Sequence, residues 1–338
     1  MKRQLLGVAA FMLALSAHAQ DNPLWMRYCA ISPDGTSIAF TYKGDIYTVP
    51  VNGGKAAQIT TNAAHDTHPV WSPDGKQIAF ASDRMGSMDI FVVDREGGIP
   101  KRLTTHSGNE TPVAFKDADH ILFLANVMPS AEDAQFPSGQ FQQVYEVSTT
   151  GDRPVMFSSM PMEDISINKT GNALLYHDKK GYEDPWRKHH TSSITRDIWL
   201  CSLDGKRSYR KLTSFNGEDR TPVWASDGKS FYYLSEEKGS FNVFKRALDG
   251  TTSTQLTHHT KHPVRFLTAA DNGTLCYGYD GEIYTMKEGT EPRKVQISIL
   301  TDKNDKDLIR QIRRNGATEI ALSPDAKEVA FILRGDVY

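Results

Sequence analysis

The densest gathering of chemically able side chains is Trp186, Arg187, Lys188, His189 and His190, consecutive in one polar stretch between Lys180 and Trp199. An Arg or Lys there can pair with a carboxylate such as a peptide C-terminus, and Trp186 adds a flat apolar face. The plainer alternative is a surface loop that folds over a rim or packs on another domain. Metal binding is poorly supplied. His189 with His190, His65 with His68 and His258 with His259 have no Cys or carboxylate at ligand spacing, and adjacent histidines on an extended chain diverge. Asp302, Asn304, Asp305 and Asp307 match a calcium loop only in part, since its Gly and closing Glu are missing. No Gly-x-Ser-x-Gly, His-Glu-x-x-His or Gly-rich phosphate loop occurs. The sequence therefore assigns no catalytic residue, no metal ligand and no cofactor.

The elements that would hold such a loop repeat along the chain. Ile31-Ser32-Pro33-Asp34-Gly35 followed by Ile38-Ala39-Phe40 returns as Trp71-Ser72-Pro73-Asp74-Gly75 with Ile78-Ala79-Phe80. Weaker copies run over 115–123, 167–176, 224–233, 267–277 and 322–331, the last with Ala326 where Gly is usual. Each is a strand, a tight turn and a second strand: Pro presets φ, Asp caps the turn and Gly accepts positive φ. A third strand follows, as in Asp45-Ile46-Tyr47, Asp89-Ile90-Phe91 and Asp197-Ile198-Trp199. A fourth ends in Ile59-Thr60, Leu103-Thr104, Leu212-Thr213 or Leu256-Thr257.

Four-stranded units that cannot bury both faces alone do so by stacking radially, which predicts an all-β chain folded as a six-bladed β-propeller of antiparallel blades. The blades are expected at about 24–62, 66–106, 110–158, 162–215, 218–259 and 262–298, within a propeller of residues 20–298. Residues 299–316, rich in Asp, Lys and Arg, read as a linker, and 317–338 as the first strands of a second, truncated propeller. A terminal half-blade completing one seven-bladed ring is the competing reading. Asp83-Arg84 and Glu218-Asp219-Arg220 fall at strand ends, where exposed ion pairs between blades are expected to contribute little.

The N-terminus carries Lys2 and Arg3, an apolar run from Leu5 to Leu15, and Ala17-His18-Ala19. That is the pattern of a signal peptide over 1–19, so export to the periplasm is expected. The 39 Lys plus Arg nearly balance 41 Asp plus Glu, which argues against a nucleic-acid partner. Cys29, Cys201 and Cys276 are odd in number and far apart, and read as small buried hydrophobes.

The Ser-Pro-Asp-Gly hairpin, the Asp-Ile-Tyr third strand and the Leu-Thr fourth strand together resemble the propeller repeats of TolB and of tricorn-like peptidases. The insertion from Lys180 to Trp199 is similar to that of exported tricorn-like peptidases. The resemblance implies the front end of a serine peptidase of the tail-specific protease clan, whose catalytic core and PDZ module lie further along the chain. Its propellers are expected to gate or bind peptides and unfolded segments, with basic side chains receiving peptide carboxylates; no Arg pair stands in the blade-three insertion from Val127 to Gln140. Homo-oligomerisation stays open. A stand-alone TolB-like interaction module of the cell envelope is the alternative.

Overall fold

The computed structural model describes residues 20–21, 23–126, 141–182, 192–300 and 314–338. Among them there is no helix, and six four-stranded antiparallel sheets dominate. Their innermost strands, Arg27–Ile31, Asp66–Trp71, Glu110–Phe115, Met162–Ile167, Asp219–Trp224 and Arg265–Ala269, stand side by side around a central cavity. The all-β, six-bladed propeller expected from the repeats is the fold observed.

Local chemistry explains the hairpins. In blade 1, Ser32 Oγ donates to Asp34 Oδ1 at 2.6 Å, and the same oxygen accepts from Thr36 N at 2.9 Å. Ser32 Oγ also accepts from Ser37 N at 3.0 Å, while Gly35 takes the left-handed conformation at φ 71°. Blade 2 repeats the arrangement with Ser72, Asp74 and Gly75. The fourth-strand Thr also has a fixed duty. Thr60, Thr104, Thr213 and Thr257 each accept through Oγ1, at 2.9 Å, from the backbone N of Ile46, Ile90, Ile198 and Val243 on the third strand. That bond satisfies a buried donor close to where the fourth strand leaves the ladder.

Packing is divided rather than central. Six hydrophobic clusters of described residues each join two neighbouring blades. The alternation of a strand decides which seam a side chain enters: Ile78 and Phe80 pack toward blade 1 with Ile46 and Trp71, whereas Ala79 faces blade 3 with Ile121 and Phe123. Trp71 and Trp224 tie inner strands across seams, their indole N–H groups donating at 2.9 Å to the carbonyls of Ala30 and Ser166. The ring closes where Met26, Cys29, Ile38 and Phe40 of blade 1 meet Ala270, Cys276, Ile283 and Val295 of blade 6. Just outside, Ile297–Ile299 pairs antiparallel with Gln20–Asp21 and parallel with Gly54–Lys55.

The charges at strand ends correct the sequence reading. Arg84 grips both carboxylate oxygens of Asp66 at 3.0 and 2.9 Å, and the Asp66 side chain is 0% exposed. Glu218, Asp219 and Arg220 are likewise buried. These are not exposed ion pairs, because each inner-strand end is covered by the third strand and second connection of the neighbouring blade.

A further three-stranded sheet of Ala317–Leu322, Val329–Leu333 and Asp336–Val337 contacts the ring through an ion pair from Arg334 to Asp83. It keeps the Ser323–Asp325 hydrogen bond of the hairpin motif, but Ala326 occupies the left-handed position at φ 56°. A Cβ there costs roughly 1–2 kcal/mol. Ala326→Gly is therefore expected to slow hydrogen exchange of the amides in this hairpin about fivefold, after the larger unfolded-state entropy of Gly takes back part of the gain. Unchanged exchange would show that the turn is not strained.

Candidate functional site

Each inner strand enters the cavity with a break in register against its second strand: between Arg27 and Ala30, Thr67 and Val70, Glu163 and Ser166, Arg220 and Val223, and Arg265 and Thr268. These are β-bulges, which re-aim a side chain locally. At each one a non-glycine residue is left-handed: Tyr28 at φ 52°, His68 at 55°, Asp164 at 48°, Thr221 at 48° and Phe266 at 57°. Five repeated strained positions, one a β-branched Thr, are held only because the surrounding ring over-determines them. Blade 3 differs for a simple reason. Pro112 occupies the corresponding place, its ring fixes φ near −65°, and the register break moves to between Pro112 and Ala114.

All five left-handed residues and Pro112 line the cavity, whose volume is about 1120 Å³. That is slightly more than the roughly 300–1,000 Å³ of small-molecule sites. Its wall is two-sided. Across blades 6, 1 and 2, Tyr28 lies between His68 and Phe266, with ring centroids 3.7 and 4.8 Å apart. Burial pushes the His68 imidazole down to about 4, so it is neutral at physiological pH. Burial likewise raises the Tyr28 phenol, against the pull of Arg27 and Arg265. This arc is mainly aromatic, with Arg265 as a cationic member of the lining.

Across blades 4 and 5 the wall is polar. Thr221 Oγ1 donates to Asp164 Oδ2 at 2.6 Å, and Thr221 N donates to His177 Nδ1 at 3.3 Å. Glu163 meets His177 Nε2 at 3.2 Å, Lys179 Nζ at 2.8 Å and Arg196 Nε at 3.4 Å. Burial alone would raise the Glu163 carboxyl, but His177 by hydrogen bond and charge, then Arg196 and Lys179, hold it well below the usual range. Arg196 and Arg220 both bond to Glu218, whose side chain is 1% exposed. An arc of paired charges and hydrogen-bonding groups therefore faces a mainly aromatic one.

Behind the inner strands, three seams place acids together. The backbone N of Asp66, Glu110 and Asp219 donates to the carbonyl of Gly44, Met88 and Arg196, at 2.7, 2.8 and 3.1 Å, next to Asp45, Asp89 and Asp197. Burial pushes Asp45, Glu110 and Asp219 up to about 7, and the neighbouring acids Asp66, Asp89 and Asp197 add to the shift.

The loop singled out in the sequence, Trp186, Arg187, Lys188, His189 and His190, lies outside the described residues, as do the 1–19 leader, the blade-three insertion 127–140 and the Asp302–Asp307 stretch. The described ends of the blade-four insertion are anchored: Lys180 Nζ bonds to Asp197 Oδ2 and to the Thr195 carbonyl. The insertion connects the second and third strands of blade 4, and the second strand carries His177, which lines the cavity beside Glu163. Of the histidines weighed as ligands, His68 lines the cavity, while His259 stacks on Tyr279 at 3.8 Å and bonds to the Tyr277 hydroxyl at 3.0 Å. Sequence reasoning missed the left-handed ring, because its members share only a place on the inner strand, three residues before the hairpin phrase in four blades and one before it in blade 6, and no residue type.

The family model for the tricorn protease N-terminal beta propeller domain matches residues 23–292. Tricorn protease homolog 1 of Streptomyces coelicolor is 25% identical over 281 residues, which cover 82% of this chain and 25% of that protein. The crystal structure of the tricorn protease superposes with a TM-score of 0.69 at 20% identity, covering 94% of this chain and 30% of the other. TolB from Acinetobacter baumannii gives 0.57 at 16% identity, over 81% and 65% of the two chains. The structural likenesses establish the fold. The chain spans about a quarter of the length of the curated relative it matches.

Proposed function

The chain belongs to the tricorn protease N-terminal β-propeller family, and from that premise we propose that it is the peptide-gating propeller of a larger exported serine peptidase, whose catalytic core lies in other parts of that protein. The observation that carries the reading is the two-sided cavity. Its width is fixed by six inner strands, its aromatic arc can stack on apolar side chains, and Asp164 and Thr221 can hydrogen-bond to main-chain amides or an amino terminus. The nature of the wall also explains a preference for unfolded segments, since an extended chain presents alternating side chains and free amides to both arcs. Periplasmic location follows from the leader pattern and belongs to the same proposal.

The test uses Tyr28→Ala, which removes the ring between His68 and Phe266. Binding of a fluorescein-labelled unstructured peptide to this chain is expected to weaken roughly tenfold, by loss of aromatic contact, with the thermal midpoint measured in parallel to exclude unfolding. In the full-length peptidase the same variant should raise KM for long peptides more than for dipeptide-sized substrates. Unchanged binding and unchanged kinetics in a folded variant would reject the cavity as the peptide path.

A further inference from the structure

Cys29 and Cys276 stand at opposite ends of the ring's sequence and meet at its closing seam. Cys29 is on the inner strand of blade 1 and Cys276 on the second strand of blade 6, paired in register with Thr268. Both belong to the cluster that joins these blades, and they are 2% and 0% exposed. The backbone brings them together by a specific route. Ile31 N donates to Thr268 Oγ1 at 3.1 Å, and Cys29 Sγ lies 3.5 Å from the Phe266 carbonyl. The Cys29 side chain is the neighbour that acts most strongly on the Cys276 thiol, within the same cluster and with Thr268 beside it. Cys201, by contrast, sits in the seam between blades 3 and 4.

We propose that Cys29 and Cys276 form a reversible disulfide that covalently clasps the first blade to the last. The seam is otherwise held without covalent bonds, by side-chain packing, hydrogen bonds and the short pairing of Ile297–Ile299 with Gly54–Lys55, so a disulfide would be its one covalent link. The donor is a small-molecule or protein disulfide of the kind an oxidising compartment supplies. Cys29 is on the inner strand that lines the cavity, whereas Cys276 lies behind it, so Cys29 reacts first. Its thiolate attacks one sulfur of the donor, the donor S–S bond breaks, one donor thiol leaves and a mixed disulfide remains. The Cys276 thiolate then attacks the Cys29 sulfur and expels the second donor thiol. Two protein thiols have become one disulfide, and their two electrons and two protons end on the two departing thiols. Burial holds the Cys276 thiol well above its ordinary range, so the second step is slow in the closed ring and faster while the seam is still forming during folding.

The protein is to be refolded in mixtures of oxidised and reduced glutathione, quenched in acid, denatured, alkylated with N-ethylmaleimide and weighed intact. The oxidised sample should carry one label, on Cys201, and the reduced sample three. Proteolysis should release a Cys29–Cys276 cross-linked peptide that dithiothreitol destroys. The oxidised form should melt roughly 5 °C or more above the reduced form, since the bond closes a very long loop of the unfolded chain. Cys29→Ala and Cys276→Ser should each abolish the redox dependence, and Cys201→Ser should preserve it. Three labels after oxidation, a cross-link that includes Cys201, or a disulfide-linked dimer would overturn the proposal. The label count on the unsubstituted protein decides the matter even if a variant fails to fold.

Discussion

Glu218→Ala is expected to destabilise the propeller by about 3–5 kcal/mol, the range for removing one partner of a buried charge network. Glu218 is wedged between Arg196 of blade 4 and Arg220 of blade 5, and its loss leaves two guanidinium groups near each other in a seam. The remaining acids compensate only in part: Glu163 already meets Arg196 but is shared with His177 and Lys179, and Glu236 accepts from the Glu218 backbone N at 3.0 Å. Urea unfolding followed by tryptophan fluorescence, with Trp224 and Trp199 on the two blades concerned, measures the loss. A midpoint shift worth under about 1 kcal/mol would mean that the network behaves like an exposed ion pair. The same variant should disturb the polar arc, since Arg196 and Arg220 border the cavity.

Stability should also fall as pH rises from about 4 to about 7. Folded Asp45, Glu110 and Asp219 are pushed up to about 7, chiefly by burial, so they keep protons that unfolded carboxyls have released above roughly 4. The unfolded state then binds fewer protons than the folded one, which gives stability a negative slope across that window and no further change above it. For Asp219, the most buried of the three, three pH units correspond to at most about 4 kcal/mol; Asp45 and Glu110 are more solvated and contribute less. Glu163 acts in the opposite sense: its depressed carboxyl adds stability above about 4.3 that is lost as pH falls further. The two trends together place the optimum where they meet, close to the ordinary carboxylate range at about pH 4 to 5. Asp219→Asn should flatten the fall between pH 5 and 7 in a series of urea midpoints. A slope identical to that of the unsubstituted protein would refute the assignment.

Much of the fold was legible because its signals are local. Ser32, Pro33, Asp34 and Gly35 make their turn with one another, and Thr60 reaches the third strand within the same blade. What lay beyond the sequence depends on contacts between blades. Nothing in the types of Tyr28, His68, Asp164, Thr221 and Phe266 reveals a shared left-handed conformation, which arises from the crowding of six strands about one axis. Arg84 reads as one half of an exposed ion pair, whereas in the fold it closes over the buried Asp66. Cys29 and Cys276 looked unrelated because ring closure, not sequence proximity, makes them neighbours. The candidate loop 186–190 stood out by composition but lies outside the described residues, whereas the described cavity wall is drawn from residues whose types drew no attention.

The division of the interior into six seams has a mechanical consequence. A closed hoop cannot widen at one joint without straining the other five, so its aperture behaves as a gauge of constant bore rather than as a jaw. Whatever threads it must conform to the hoop.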